Sequence, residues 1–247
     1  MGKHWKLREL SKEAADRLQP PLHLGALVPW ANLAMEAELP FILPDSVVWH
    51  FSRLVPECRK TEIDEEFLQG MVQAIPQSLY ALSCLPLSGI AFGCTSASFS
   101  YKDLVHDQQL HAVEPCFLSA FNAIVYMLKL LNVHSIALFT PYEQKITDRE
   151  IHALSTQGIT TVDVKSLGMR DDIGMVSESQ IIDSFVNWPH REVEGVVMSC
   201  TALHTLNVIE HLEKKLGCPV ISSNTAMGLA LPILIADQTN RRNRSMS

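Results

Sequence analysis

The sequence predicts an α/β protein made of two similar Rossmann-like lobes, each with a parallel sheet flanked by helices. Two observations predict this class. Short, continuously apolar, β-rich runs alternate with amphipathic helical stretches, as is typical of parallel strands that crossover helices cover on both faces. A strand followed by a Cys-Thr pair and a helical pattern also occurs twice, first at Cys94 and again at Cys200, 106 residues later. That separation is about the length of one small domain.

The predicted elements follow one another in a regular order. An accessory helix is expected in residues 1–21, where Pro20 and Pro21 end it. The β-rich runs are 24–28, 47–51, 88–93, 135–139, 160–164, 195–199 and 219–222, and the helical patterns lie near 64–80, 117–131, 144–156, 178–187 and 201–216. Asn132 and Gly217 follow two of these patterns directly, and both residue types favour the left-handed conformation that closes a helix.

These elements divide into two lobes with the active site in the cleft between them. We expect residues 22–116, together with 219–238, to form the first α/β lobe, and residues 117–218 to form the second. The basic tail, residues 239–247, has no apolar partner and is predicted to be disordered.

Charge, hydropathy and cysteine usage exclude several classes of partner. The chain has 20 basic and 27 acidic residues, a net charge of −7, so it lacks the basic field that holds nucleic acid. Its most apolar late stretch, "AMGLALPILIA", is too short to span a bilayer and contains Pro232. Six cysteines without a C-x-x-C pair indicate reduced thiols. We therefore expect a cytoplasmic protein with neither a nucleic-acid nor a membrane partner.

The sequence also lacks the usual signatures of a bound cofactor or metal. Neither G-x-G-x-x-G nor G-x-x-x-x-G-K-[ST] occurs, so no dinucleotide or nucleoside triphosphate is indicated. The ten histidines form no H-E-x-x-H motif and no Cys/His ligand cluster. We expect no cofactor and no metal.

Cys94 and Cys200 carry the chemistry that the pattern indicates. Each follows a predicted strand, so both lie at the carboxyl edge of a parallel sheet, where ligands bind. A helix N-terminus there favours a thiolate and also attracts a substrate carboxylate. The neighbouring Thr95, Ser96 and Thr201 supply hydroxyls that accept from first-turn amides or donate to a bound carboxylate. If the lobes face each other, one thiol attacks or removes a proton while the other donates one.

The alternative interpretation of these cysteines is packing. A lone cysteine at the end of a strand is more often a small buried hydrophobic residue than a nucleophile. The repeated Cys-Thr context favours function for Cys94 and Cys200. The cysteines without that context are assigned to packing: Cys58, Cys84, Cys116 and Cys218.

Four segments carry a family resemblance over residues 22 to 236. They are "LGALVPWANLAMEAELP", "GCTSAS", "SIALFTPYEQKITDREI" and "VVMSCTALHTLNVIEHLEKKLGCPVISSNTA". Together they resemble the Asp/Glu racemase superfamily, and within it the maleate cis-trans isomerase branch, whose neighbours include arylmalonate decarboxylases.

The resemblance implies a role for four residues. Cys94 matches the cysteine whose thiolate adds to the double bond of a cis-enedioate, giving a succinyl-thioether-like intermediate that rotates and expels the sulfur as the trans acid. Cys200 matches the cysteine that protonates or stabilises this intermediate from the opposite face. Asn32 in "PWAN" matches an asparagine that holds one substrate carboxylate, and Tyr142 in "TPY" matches a tyrosine that hydrogen-bonds the other. Taken alone, Asn32 reads as a helix cap and Tyr142 as a loop aromatic.

Three stretches depart from the family pattern. Relatives often show Asn before an "IG" pair, but this chain has "RDD" at 170–172, where an aspartate repels a dicarboxylate unless Arg170 replaces the lost contact. Trp30 stands where smaller polar residues are frequent, and Ser119 and Asn122 remain in a run commonly rich in Thr and Ser. These departures indicate a pocket that is bulkier or more apolar than a maleate pocket.

The leading hypothesis is a cofactor-independent two-cysteine isomerase that acts on a small, maleate-like carboxylic acid. The first alternative is an amino-acid or hydantoin racemase with a two-thiol proton relay, and the second is a binding protein that has lost the chemistry. Malonate decarboxylation is less favoured, because arylmalonate decarboxylases keep only the second cysteine. The resemblance is compatible with a homodimer or a higher homo-oligomer.

Overall fold

The computed structural model describes residues 3–18, 21–43, 45–101 and 116–245. It confirms the α/β class, since these residues contain two four-stranded sheets whose paired strands are all parallel. Helices alternate with the strands along the chain and cover the sheets, which is why most of the strands are apolar on both faces.

The first sheet has the strand order β2-β1-β3-β4. Its strands are β1 (Leu22–Pro29), β2 (Val47–Leu54), β3 (Gly89–Phe92) and β4 (Cys116–Ser119). The helices of this part of the chain are α1 (Lys3–Arg17), α2 (Met35–Ile42), α3 (Glu65–Gln73), α4 (Ile75–Leu82) and α5 (Thr95–Ser100).

The second sheet has the corresponding order β6-β5-β7-β8. Its strands are β5 (Ser135–Tyr142), β6 (Thr160–Met169), β7 (Gly195–Met198) and β8 (Val220–Ser222). The helices are α6 (Ala120–Leu130), α7 (Gln144–Thr156), α8 (Glu178–Ser184) and α9 (Leu206–Leu216), with a 3₁₀ turn at Ile173–Met175. The matching strand orders are the structural form of the repeat seen in the sequence.

The last helix, α10 (Ser223–Ser245), joins the second sheet to the first lobe. It starts directly after β8 and packs against α1, α2, α6, β3 and β4. None of the helices within the described residues combines the length and apolar character needed to cross a bilayer.

Several details differ from the sequence-based expectations. Residues 117–119 belong to β4 of the first sheet, although 117–131 reads as one helical pattern, because a four-residue strand is too short to show a period. Strand β8 pairs with β7, so residues 220–222 belong to the second sheet and not to the first lobe. The helix α10 continues through residue 245, where a disordered tail was expected.

Both predicted helix ends are confirmed. Asn132 has φ +54° after α6, and Gly217 has φ +70° after α9. At the end of β3, a side chain at Gly93 would place its Cβ 2.8 Å from the carbonyl oxygen of Leu27 and 2.4 Å from the sulfur of Met35. Only glycine leaves room for this close contact between the backbones of β3 and β1, and the contact holds Cys94 near strand β1.

Candidate active site

The carboxyl ends of the two sheets face a cavity of about 150 Å³ between the lobes. Every residue that the sequence singled out as catalytic or substrate-binding lines it: Asn32, Cys94, Thr95, Ser96, Tyr142, Cys200 and Thr201. A larger groove of about 650 Å³ lies at the neighbouring surface and contains none of these residues. The tertiary structure therefore brings the two cysteine motifs together in one small enclosed space.

Cys94 lies at the junction between β3 and α5. It is the residue directly before α5, has extended backbone angles, and is 4% exposed. The backbone N–H of Ala97 donates to its sulfur, and the Ser96 hydroxyl lies 3.8 Å from that sulfur. These are the donors of a helix N-terminus, as the sequence predicted for this cysteine.

Cys200 follows β7 with a backbone that non-glycine residues rarely adopt. Its φ is +92°, and its side chain is 6% exposed. The N–H of Cys200 donates to the Ser223 hydroxyl at 3.1 Å, which fixes the backbone in this conformation. A strained position held by its surroundings is typical of a functional site, because the strain aims one side chain.

The environment of Cys200 differs from the expected helix start. Helix α9 begins only at Leu206, and its first amides, of Thr205 and Leu206, donate to the buried carboxylate of Glu38, the second at 2.8 Å. The expectation that this helix N-terminus activates Cys200 is therefore wrong. The groups that stabilise its thiolate are instead the N–H of Ala202 and the Tyr142 hydroxyl.

Burial determines the protonation of both thiols. It raises the pKa of Cys94 to about 11, against the opposing effect of the Ala97 N–H and the Ser96 hydroxyl. Burial is also the largest cause of the raised pKa of Cys200, about 12, to which Cys94 and the buried carboxyl of Glu150 add smaller contributions in the same direction. Both cysteines line the cavity and both pKa values are raised, so both groups are thiols near neutral pH.

The hydroxyl of Thr201 serves as a connection between the lobes. It donates to the carbonyl oxygen of Gly93 at 2.7 Å and accepts from Asn32 Nδ2 at 3.2 Å. Asn32 Oδ1 in turn accepts from the N–H groups of Ala34 and Met35, both at 2.9 Å. Asn32 thus accepts from two amides at the start of α2, although the N-cap position itself is Ala34, and it is also a cavity residue with one amide hydrogen left for a ligand.

Thr95 is held in a similar way. Its hydroxyl donates to the Ser223 hydroxyl at 2.9 Å, the same oxygen that accepts from the N–H of Cys200. Ser223 therefore links Thr95, the residue after Cys94, to the backbone of Cys200. The threonine hydroxyls are used for structure, so the donors that remain for an anion are backbone N–H groups and the side chains of Asn32, Ser96 and Tyr142.

Tyr142 ends β5 and closes the cavity from the second lobe. Its side chain is 1% exposed, its ring packs edge-on against Phe99 at 6.3 Å, and its hydroxyl has no hydrogen-bond partner of ordinary geometry among the described residues. Burial, Cys200 and Glu150 all raise the pKa of the phenol well above its usual value. A neutral hydroxyl beside a cysteine is available to donate to a bound carboxylate.

The family model described as arylmalonate decarboxylase matches residues 24–243, which is most of the chain. The chain belongs to the arylmalonate decarboxylase family. This confirms the resemblance that the cysteine motifs indicate. The matched residues include both lobes of this chain.

Relatives of known activity and solved structures agree with this assignment. The maleate isomerase of Alcaligenes faecalis is 26% identical over 220 residues, covering 81% of this chain and 85% of that protein. The arylmalonate decarboxylase of Bordetella bronchiseptica is 29% identical over 108 residues, 42% of this chain and 45% of that one. The structure of the maleate isomerase Iso from Pseudomonas putida S16 has a TM-score of 0.76 at 20% identity, covering 85% of this chain and 91% of that one.

A further structural neighbour contains a reaction intermediate. It is the Nocardia farcinica maleate cis-trans isomerase mutant with a covalently bound succinylcysteine intermediate, with a TM-score of 0.73 at 22% identity. The match covers 84% of this chain and 89% of that one. At this identity the likeness establishes the shared two-lobed fold.

The departures from the family pattern lie at the mouth of the cavity or outside it. Arg170 binds Glu62 at 2.6 Å and Glu143 at 2.7 Å, so it is engaged by two carboxylates and does not line the cavity. Its neighbours Asp171 and Asp172 do line it. The sequence left open whether Arg170 replaces the lost substrate contact, and the structure engages its guanidinium with Glu62 and Glu143 instead.

The other two departures are structural. Trp30 donates from Nε1 to the carbonyl oxygen of Lys60 at 3.1 Å. Ser119 accepts from the N–H of Asn122 at 3.3 Å and so caps α6. None of these residues is among the described residues that line the cavity.

Sequence reasoning missed two sets of residues that line or support the cavity. The first is an apolar wall, formed by Leu33, Ile63, Phe67, Ile173 and Met175, which lines one side of the cavity. These residues come from separate loops and helices and carry no common motif. The second set, Glu38, Ser223 and Asn224, supports the cysteines, and the segment "ISSNTA" gave a signal for its last two members.

Proposed function

We propose that this protein is a cofactor-independent isomerase that converts a small, maleate-like cis-enedioate into the trans acid. One observation carries the proposal: two buried thiols, one from each lobe, line the same small cavity together with neutral hydrogen-bond donors. The names of the maleate isomerase relatives support the reaction class.

The first step is addition of Cys94 to the double bond. Cys94 first loses its thiol proton to solvent. The resulting thiolate forms a C–S bond to one alkene carbon, and the π electrons move to the other carbon and into its carboxylate. Proton transfer from the Cys200 thiol to that carbon gives a succinyl thioether and leaves Cys200 as the thiolate. The N–H of Ala97 and the hydroxyl of Ser96 stabilise the Cys94 sulfur when it is anionic.

The second step reverses the first after rotation. The former double bond is now single, so the two carboxylates rotate to the trans arrangement. The Cys200 thiolate removes the proton, the double bond forms again and Cys94 leaves as a thiolate, which restores both sulfurs. No electrons are gained or lost, so the proposed cycle is balanced.

The substrate carboxylates bind to neutral donors. Asn32 has one amide hydrogen left after its bond to Thr201, and the Tyr142 hydroxyl lies near the Cys200 sulfur without a hydrogen bond of ordinary geometry to any described residue, so each is available for one carboxylate. Among the described residues that line the cavity there is no lysine, arginine or histidine, while Asp171 and Asp172 stand at its mouth. The chain therefore relies on dipoles rather than on a cation to hold its anion.

The apolar wall indicates which enedioates fit. Leu33, Phe67 and Met175 offer an apolar surface beside the cysteines, which favours a substituent on the double bond over a bare one. We expect kcat/KM for 2-methylmaleate to equal or exceed that for maleate. A strong preference for maleate would contradict this part of the proposal.

A racemase is the second candidate, because two thiols that face one cavity also form a proton donor and acceptor pair. In heavy water, a racemase incorporates deuterium at the α-carbon of an amino acid or hydantoin without a change in double-bond geometry. The isomerase produces trans acid from cis acid. Proton NMR of both reactions distinguishes the two.

The proposal is tested with cysteine variants of the full chain. Cys94→Ser should abolish the conversion of cis to trans acid, and Cys200→Ser should accumulate a substrate adduct on Cys94 that peptide mass mapping detects. Cys58→Ser, at an exposed cysteine outside the cavity, is the matched control and should keep full activity. Turnover by Cys94→Ser with an intact fold would refute the role of that residue.

Location and assembly complete the proposal. No disulfide joins any of the six cysteines, which supports a reducing, cytoplasmic location. We propose a homodimer or higher homo-oligomer of this chain, and sedimentation equilibrium measures its mass directly.

A further inference from the structure

A buried carboxyl without a partner lies behind the proposed active site. Glu150 is on α7 and has no exposed surface. It occupies the apolar face of that helix, with Ile146 and Leu154 one turn away on either side. Neither of its carboxyl oxygens has a hydrogen-bond partner among the described residues. A buried polar group in this state is costly and calls for a physical reason.

The groups that face Glu150 belong to the site. Ser199 directly precedes Cys200, and its hydroxyl approaches the carboxyl of Glu150. Its charge acts on both the Tyr142 phenol and the Cys200 thiol, and these two also act on each other. Cys94 completes the group through its effect on Tyr142 and Cys200.

The charged groups on the elements around Glu150 are engaged elsewhere. Arg149, its neighbour on α7, binds Glu65 at 2.9 Å. On β6, which packs against α7, Lys165 donates to the carbonyl oxygen of Ser184, and Asp163 accepts from the N–H of His190 at 2.6 Å. The neighbouring α5 carries only hydroxyl and apolar side chains. Among the described residues, no cation contributes to the environment of the Glu150 carboxyl.

We propose that Glu150 is a positioning residue that controls the protonation of Cys200 without touching the substrate. When Glu150 is a neutral acid, it leaves the Cys200 thiol and the Tyr142 phenol unperturbed by charge. When it is a carboxylate, it opposes a second negative charge in the same low-dielectric region, so Cys200 stays a proton-donating thiol. This inference rests on the proposed role of Cys200 as the proton donor.

The change between these states falls in an accessible pH range. Burial raises the pKa of Glu150 to about 8, with Ser199 as the only opposing contact. Glu150 is therefore mostly neutral at pH 7 and mostly a carboxylate at pH 9. The Cys200 thiol loses its proton only at a higher pH, so its titration reports which form of Glu150 is present.

The competing explanation is structural. A neutral glutamic acid also fills space and places a polar group beside the Ser199 hydroxyl, and glutamine does both without ionising. Glu150→Gln thus keeps shape and polarity and removes only the charge. Glu192→Gln is the matched control, because it makes the same change at an exposed side chain.

The experiment measures the rate at which iodoacetamide alkylates Cys200, by peptide mass mapping, in the full chain carrying Cys94→Ser. The rates are recorded from pH 6.5 to 10 with and without Glu150→Gln, and exposed Cys58 serves as the internal standard. The reaction needs no turnover. Isomerase activity in Cys94→Ser would therefore refute the proposed function and leave this comparison intact.

We expect the two proteins to react equally at pH 7. Above pH 8, the logarithm of the alkylation rate should rise less steeply with pH in the Cys94→Ser parent, while in the protein that also carries Glu150→Gln it should keep its slope. At pH 9.5 the Glu150→Gln protein should react at least about threefold faster, since alkylation follows the thiolate fraction. Equal rates at every pH, or a Cys200 that reacts in neither protein, would overturn the proposal.

Discussion

Replacing Glu150 by glutamine should change how stability depends on pH, independently of any catalytic role. In the folded protein the carboxyl keeps its proton up to about pH 8, whereas in the unfolded chain it loses the proton at its ordinary value of 4.5. Between these pH values the unfolded state binds fewer protons, so stability falls as the pH rises. The contribution is fully present below pH 4.5 and fully lost above about pH 8.

The magnitude follows from the two pKa values. Each pH unit between 4.5 and about 8 changes the free energy of unfolding by 1.36 kcal/mol, which gives a total of about 5 kcal/mol. Glutamine has no proton to lose. The free energy of unfolding of Glu150→Gln, relative to that of the wild type, should therefore rise by about 5 kcal/mol over this interval. That is a large part of the stability of an ordinary domain.

The assay is urea denaturation followed by tryptophan fluorescence at several values between pH 4.5 and 9, with a thiol reductant present. Glu192→Gln is the control, and its curve should stay parallel to that of the wild type. If Glu150→Gln also stays parallel to the wild type across the whole interval, then Glu150 ionises normally in the folded protein. The reasoning from its burial would then be refuted.

Three further predictions concern the buried contacts of Glu38, the ion pairs of Arg170 near the cavity mouth and the nucleophile Cys94. Glu38→Ala removes an acceptor shared by the N–H of Leu206 and the amide of Asn224 at 2.8 and 2.7 Å, and should lower the free energy of unfolding by about 3 kcal/mol in urea denaturation. Arg170→Ala removes an exposed ion-pair centre, so it should change stability by less than about 1 kcal/mol. It should also raise KM for a dianionic substrate at low salt, and added salt should diminish that increase. Because the pKa of Cys94 is raised to about 11, kcat/KM should increase about tenfold per pH unit between pH 6.5 and 7.5, and a plateau there would contradict the thiol assignment.

Much of the fold could be predicted because local patterns and global packing agree. The continuous apolar runs at 135–139 and 195–199 became the central strands β5 and β7, since crossover helices bury both of their faces. Strand β4 escaped prediction for the opposite reason. Its four residues lie next to an apolar helix, and the two together show only one apolar stretch.

The chemistry of the candidate site was predictable in type but not in detail. The repeated Cys-Thr pairs indicated two thiols at sheet edges, and both line one cavity. The sequence could not show that Glu38, 167 residues before Thr205, occupies the start of α9 and leaves Cys200 without the help of that helix. Such a contact depends on how the lobes pack, and no local pattern encodes it.

By itself the sequence determined the kinds of reactive group, their positions at the ends of strands and the class of the sheets, because these follow from short-range apolar periodicity and composition. Only the tertiary structure decided which groups share a low-dielectric space. This arrangement sets the pKa values of Cys94, Cys200 and Glu150. It also engages the hydroxyls of Thr95 and Thr201 in hydrogen bonds within the protein. Protonation depends on burial and on neighbours distant in the chain, and both arise only when the two lobes come together.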